Sequence, residues 1–239
     1  MLNVLRPFFT RLLTPVSQWL ARTPVTPNMV TVVGTLGVSA GALALFPTGH
    51  LLAGVIVCTV FVFADMLDGT LARIKGSSGA WGAFLDSTLD RIADAAVFAG
   101  LAAYFVNGGN SRLMAGVATY CLVTGSLVSY AKARAQSLGV SCDVGIAERT
   151  ERLLIALVAA GLDGLGVPYV LPAGLWILAV LTTITLGQRV WAVREGTAAA
   201  AAKDKDKDEA AGAPARDDGA DRAGQGTGPG GGTAGQAKG

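Results

Sequence analysis

Apolar positions recur in long blocks over the first 195 residues, separated by short polar joints. In residues 2–22, Leu2, Leu5, Phe9, Leu12, Leu13, Val16 and Leu20 repeat at helical spacing, with Arg6, Arg11, Gln18 and Arg22 at other positions. This pattern predicts an amphipathic juxtamembrane helix lying in a membrane interface, interrupted near Pro15. It lacks the uninterrupted apolar run and small-residue cleavage site of a secretory signal. Six longer blocks follow, near 28–46, 51–72, 84–106, 112–138, 150–166 and 170–193, and predict six membrane-crossing helices. The fifth is the shortest apolar run. Leu153–Leu162 ends at Asp163, so its polar first turn is needed to reach across a core about 30 Å thick. Pro47-Thr48-Gly49, Asn107-Gly108-Gly109 and Val167-Pro168 mark joints. The expected fold class is all-α: a helix over 1–22, a six-helix membrane domain over 23–195 and a tail over 196–239.

Composition agrees with that pattern. Apolar residues make up 51% of the chain and charged residues 15%, against about 25% charged in soluble domains. The formal net charge of +2 is too near zero to argue for nucleic acid. Arg6, Arg11, Arg22, Arg73, Lys75, Lys132, Arg134, Arg149, Arg152 and Arg194 fall on one set of segments. The opposite loops near 47–50, 107–111 and 163–170 carry no Lys or Arg, with Arg112 at an edge. By the positive-inside rule both termini are cytoplasmic, as an even number of spans requires. From about Thr197 an alanine run, a Lys-Asp alternation (Lys203 to Asp208) and a Gly-rich end predict a disordered cytoplasmic tail. Cys58, Cys121 and Cys142 form no CxxC pair and suggest no disulfide framework, and His50 is the only histidine. Any chemistry must therefore use carboxylates, hydroxyls and cations.

The carboxylates are concentrated in Asp65-Met66-Leu67-Asp68-Gly69-Thr70-Leu71-Ala72-Arg73 and Gly82-Ala83-Phe84-Leu85-Asp86-Ser87-Thr88-Leu89-Asp90. Carboxylates in or beside spans are costly and usually functional. Asp65 and Asp68 are i, i+3, and Asp86 and Asp90 are i, i+4, so each pair shares a helix face. Four such groups brought together by a helical hairpin would repel, and all-oxygen ligation suits Mg²⁺ or Mn²⁺. Two ions about 3.5–4 Å apart could clamp a pyrophosphate during an in-line displacement. Gly69 and Ala72 let a ligand approach the backbone, and Arg73 can pair with phosphate. Ion pairs with Arg73, Lys75 and Arg91 would account for one such aspartate. They do not account for four at these spacings beside Gly-x-x-Ala-Arg. Asp94 extends the i+4 series outside the motif, which favours a supporting role.

The segment D-x2-D-G-x2-A-R-x8-G-x3-D-x3-D, met at every position from Asp65 to Asp90, resembles the signature of the CDP-alcohol phosphotransferase family. The arrangement of a juxtamembrane helix and six spans over 1–195 also resembles that family. The resemblance implies a homodimer in the cell membrane, two Mg²⁺ ions (or Mn²⁺) held by Asp65, Asp68, Asp86 and Asp90, and CMP as leaving group. It also implies that Asp90 acts as general base. Asn28 and Thr31 open the first span, where Thr26 or Asn28 would otherwise serve as a helix cap. By the resemblance, Asn28, Met29, Val30, Thr31, Asp65, Gly69, Ala72, Arg73 and Gly79 bind the CDP-diacylglycerol donor at the cytoplasmic face.

The acceptor is read from the cations. Lys132, Arg149 and Arg152, with Arg189 or Arg194 at the last span, exceed what a nucleotide and metals need, and suit an alcohol carrying its own phosphate. Flanking charge paired with Glu148 and Glu151 is the competing reading. Ser129–Ala135 and Gly145–Arg152 resemble the actinobacterial members of the family whose acceptor is inositol 1-phosphate and whose products are phosphatidylinositol phosphate and CMP. That resemblance assigns the acceptor phosphate to Lys132, Arg152 and a last-span arginine, with Arg189 fitting its segment better. The nearest rival acceptor is glycerol 3-phosphate, as in phosphatidylglycerophosphate synthesis. A metal-ion or solute transporter is the rival of another class, since intramembrane carboxylates also line ion paths. Against it stand the placement of the acidic cluster at one surface and the lack of inverted repeats with interrupted helices.

Overall fold

In the computed structural model the described residues are 15, 18–76 and 79–212, with the side chains at 65, 66, 68 and 203–212 outside the description. Among the described residues six helices follow from residue 27: α1 (Pro27–Leu45), α2 (Leu51–Lys75), α3 (Ala80–Asn107), α4 (Arg112–Ser137), α5 (Arg149–Gly164) and α6 (Val170–Gly212). No strand occurs among the described residues. The chain divides into two units, 1–197 and 198–239. The amphipathic helix expected over 1–22 lies mostly outside the described residues, of which 18–21 are helical.

Local chemistry sets the boundaries. The hydroxyl of Thr26 accepts from the Met29 amide at 3.3 Å and Pro27 opens α1, a cap-plus-proline start that ties down an otherwise unpaired donor. Lys75 ends α2 by donating to the Thr23 and Val25 carbonyls at 3.0 and 2.7 Å. That anchors the last turn of α2 to the chain entering α1. Ser111 caps α4 through the Met114 amide at 3.3 Å.

Small residues on facing helices allow close packing, as expected where lipid gives no hydrophobic drive between helices. Thr31, Gly34, Thr35, Val38, Gly41 and Ala42 form the buried stripe of α1. On α3, a Cβ at Gly100 would lie 2.5 Å from the Ala42 carbonyl oxygen, so only glycine permits this α1–α3 crossing. Val97, Phe98, Leu101, Cys121, Leu157 and Leu175 extend the core across α3, α4, α5 and α6. All three cysteines are free and buried. Large apolar side chains also point outward, among them Leu36, Val60, Leu113, Val123, Val158 and Val180. Such outward apolar surface is what a lipid environment accommodates.

Among the described residues four helices are long and apolar enough to cross a membrane: Pro27–Leu45, Leu51–Lys75, Arg112–Ser137 and the Val170–Ala202 part of α6. The third and fifth expected spans correspond to α3 and α5, which fall short of that description for physical reasons. α3 has 28 residues but carries Asp86, Asp90, Arg91 and Asp94 among its first fifteen. α5 has 16 residues, fewer than the about 20 a bilayer core requires. Residues 198–212, expected as irregular tail, are helical. The alanines at 198–202 are the strongest helix formers, and they supply the reason. The rest of the tail lies outside the described residues.

Candidate active site

The first turn of α1, the last turns of α2 and the first turns of α3 enclose a cavity of about 310 Å³. Asn28, Thr31, Gly69, Ala72, Arg73 and Gly79 line it, together with Pro27, Gly82, Ala83 and Asp86. Met29 and Val30 do not. The Met29 side chain is exposed, and its amide is taken by the Thr26 cap. Thr26 is thus the cap, and the Asn28 side chain turns to the cavity, its Oδ1 3.5 Å from where a Gly82 Cβ would stand. Gly82 and Ala83 were not among the expected donor contacts. The glycine of the motif's second half was the signal for them, since its spacing to Asp86 puts both on one helix face.

Asp65 and Asp68 lie on helical backbone two turns and one turn before Ala72, and their side chains are outside the described residues. Among the described residues no three acidic, imidazole or thiol groups converge. The donor chemistry nonetheless fits a hard divalent cation: carboxylates on two adjoining helix ends, with small residues between them. Asp86 lines the cavity, and Asp90 sits one turn further into α3.

Beyond Asp86 the face of α3 continues into an ion ladder with α5. Arg149 Nη2 is 2.8 Å from Asp90 Oδ1, and its Nε donates to Asp94 Oδ1 at 3.3 Å. Arg152 Nη2 donates to Asp94 Oδ2 at 2.8 Å. Arg91 reaches the other Asp90 oxygen only at 3.9 Å. The ladder works because Asp90 and Asp94 are i, i+4 while Arg149 and Arg152 are i, i+3, so both pairs present one face. Arg152 is 2% exposed and Asp94 6%. Charges so buried persist only when paired. Arg149 was expected in the acceptor group; instead it bridges Asp90 and Asp94, a contact foreshadowed only by Asp94 extending the acidic series.

The remaining cations gather along α4, where Gly125, Val128 and Lys132 share a face. Arg152 lies against Gly125, its Nε 3.0 Å from where a Cβ would be and without a hydrogen-bond acceptor. Arg189, 3% exposed, donates to the Val128 and Val144 carbonyls at 2.6 and 3.0 Å, and its Nη2 is 3.6 Å from Glu148. Lys132 is 2.7 Å from Asp143 and 4.0 Å from Glu148. The Lys132 ammonium beside it holds the Asp143 carboxyl below the usual range. Asp143 thus keeps its charge to lower pH than a carboxyl without such a partner. Lys132 and Arg189 therefore meet at Glu148, with Arg152 further along the same face of α4. Arg194 instead lies over the exposed Trp191 ring, 5.6 Å from its centroid.

Comparison with known proteins bears on this arrangement. A family model described as CDP-alcohol phosphatidyltransferase matches residues 24–191, a span that holds Arg189 and ends before Arg194. The phosphatidylinositol phosphate synthase of Streptomyces avermitilis is 50% identical over 202 residues, covering 82% of this chain and 83% of that protein. That of Mycolicibacterium smegmatis is 45% identical over 192 residues, 79% of this chain and 86% of that one. Among solved structures, the Mycobacterium tuberculosis phosphatidylinositol phosphate synthase with CDP-DAG bound matches with a TM-score of 0.74 at 44% identity, covering 77% of this chain and 94% of that chain. The same enzyme in complex with manganese and citrate matches with a TM-score of 0.73, over 76% of this chain and 88% of that chain.

Proposed function

The chain belongs to the CDP-alcohol phosphatidyltransferase family, and from that membership we propose that it transfers the phosphatidyl group of CDP-diacylglycerol to inositol 1-phosphate, giving phosphatidylinositol phosphate and CMP. The observation that carries the acceptor is the cation face of α4, where Lys132 and Arg189 meet and Arg152 lies alongside. The names of the relatives at 45–50% identity support the same acceptor.

In this reading Asp65, Asp68, Asp86 and Asp90 hold two divalent ions, Mg²⁺ or Mn²⁺. When bound, such ions neutralise charge on the pyrophosphate and its leaving oxygen. The protein supplies the rest. Asn28 and Thr31 wall the nucleotide cavity, and Gly69 and Ala72 let the donor lie against the backbone. Arg73 pairs with phosphate oxygens. Asp90, oriented by Arg149, takes the proton of the acceptor hydroxyl. That oxygen bonds to the phosphorus of the phosphatidyl group, and the bond to the CMP oxygen breaks with its electron pair. Lys132, Arg152 and Arg189 bind the acceptor's own phosphate. The enzyme is a homodimer with six spans in the cell membrane, both termini and the site facing the cytoplasm.

The test is CMP release by purified protein with CDP-diacylglycerol and a panel of acceptors. Inositol 1-phosphate is expected to be the best substrate and free inositol a poor one. A preference for glycerol 3-phosphate would replace the acceptor. Absence of CMP release with every acceptor from folded, metal-loaded protein would overturn the reading.

A further inference from the structure

Asp94 lies outside the sequence motif, reaches neither the nucleotide cavity nor the cations around Glu148, and yet is buried. Its two oxygens are spent on two different arginines: Oδ1 on Arg149 at 3.3 Å and Oδ2 on Arg152 at 2.8 Å. We propose that Asp94 is a positioning residue, the strut that sets the Arg152 guanidinium in place for the acceptor phosphate and ties it to the carboxylate that takes the acceptor's proton.

Three observations carry this. Among the described residues the Arg152 side chain makes one hydrogen bond, that to Asp94, so the direction of its guanidinium is fixed from that side. On the other side Gly125 leaves room for the planar group to lie flat on α4, with Nε 3.0 Å from a would-be Cβ. A guanidinium has five donors, so the bond to Asp94 leaves several for an anion. Arg149 then links the strut to Asp90 at 2.8 Å. The result is a fixed spacing between the group that accepts the hydroxyl proton and the group that holds the phosphate of the same acceptor. Positional precision of this kind governs reactivity, since small displacements of reacting groups are costly in rate.

The inference rests on the acceptor reading above, and the experiment separates the two. Full-length Asp94→Asn is assayed in detergent beside wild type, Arg152→Gln and the double variant. Asp94→Asn is expected to raise the KM for inositol 1-phosphate by about tenfold or more, since a charge-assisted bond that orients the cation is lost. The KM for CDP-diacylglycerol should stay within about twofold, because the donor cavity does not touch Asp94. The double variant should be no worse toward the acceptor than Arg152→Gln alone, since residues acting through one another are non-additive. Asp94→Glu, which keeps the charge, should recover part of the acceptor KM. Equal rises in both KM values, or effects of the two substitutions that multiply, would overturn the proposal. If Asp94→Asn does not fold, Asp94→Glu decides: a higher acceptor KM with the donor KM unchanged supports the strut, and wild-type values for both sink it. Wild-type protein that turns over a different phosphorylated alcohol changes only the acceptor's name, and the same split is then read with that alcohol. Wild-type protein inactive with all of them fails the functional reading and this inference with it.

Discussion

At the residue scale the carboxylates and guanidiniums divide the work. On the proposed assignment of Asp68 to the metal, Asp68→Asn is expected to reduce CMP release below about a tenth of wild type at saturating Mg²⁺. EDTA should stop the reaction and Mg²⁺ or Mn²⁺ restore it, read in the same assay; a chelator-resistant rate would contradict the metal set. Gly125→Ala places a methyl 3.0 Å from Arg152 Nε and should displace that guanidinium by a few tenths of an ångström, raising the acceptor KM several-fold with little change in the donor KM. The shared face of Gly82, Asp86 and Asp90 was legible in the chain because fixed i, i+4 offsets turn spacing directly into geometry. The pairing of Arg149 with Asp90 was not, because it depends on how α5 docks against α3, and no local spacing encodes that. Arg189 and Arg194 look alike as letters. What distinguishes them is a helical turn and a bit, which sends one to the Val128 carbonyl and the other over Trp191.

At the scale of elements, hydropathy located every helix from α1 to α6 and its joints, since long apolar blocks between Gly and Pro punctuation have few alternatives. The end of α6 was less legible: alanine-rich, charge-balanced sequence reads as tail by composition, while its helix propensity keeps the backbone helical to Gly212. The α1–α3 crossing makes a stability prediction. Gly100→Leu drives a side chain into the Ala42 carbonyl, and overpacking of this kind typically costs about 1–3 kcal/mol. The thermal unfolding midpoint in detergent should fall accordingly, and an unchanged midpoint would mean that the helices separate freely. Topology is checked by cysteine labelling from either side of the membrane. Positions near 75, 140 and 200 should label from the cytoplasm, and those near 49 and 109 from outside. Termini on opposite sides would rule out six spans.

For the molecule as a whole, the family match ends at residue 191 and the first compact unit at Thr197. Deleting residues 198–239 is therefore expected to leave kcat and both KM values within about twofold, whereas the same deletion extended to 188 removes Arg189 and should abolish acceptor binding. The ion ladder between α3 and α5 also bears on how the chain is made. A 16-residue helix that opens with Arg149, Glu151 and Arg152 is a poor candidate to enter a bilayer by itself, since it is shorter than the about 20 apolar residues a span needs and spends three of its first four positions on charged side chains. Synthesis delivers α3 first, so Asp90 and Asp94 stand ready as counter-charges when α5 leaves the ribosome. Biogenesis should then depend on order: α5 fused alone to a glycosylation reporter should integrate poorly, integrate well behind α1–α4, and lose that gain when Asp94 is replaced by leucine in the preceding helices.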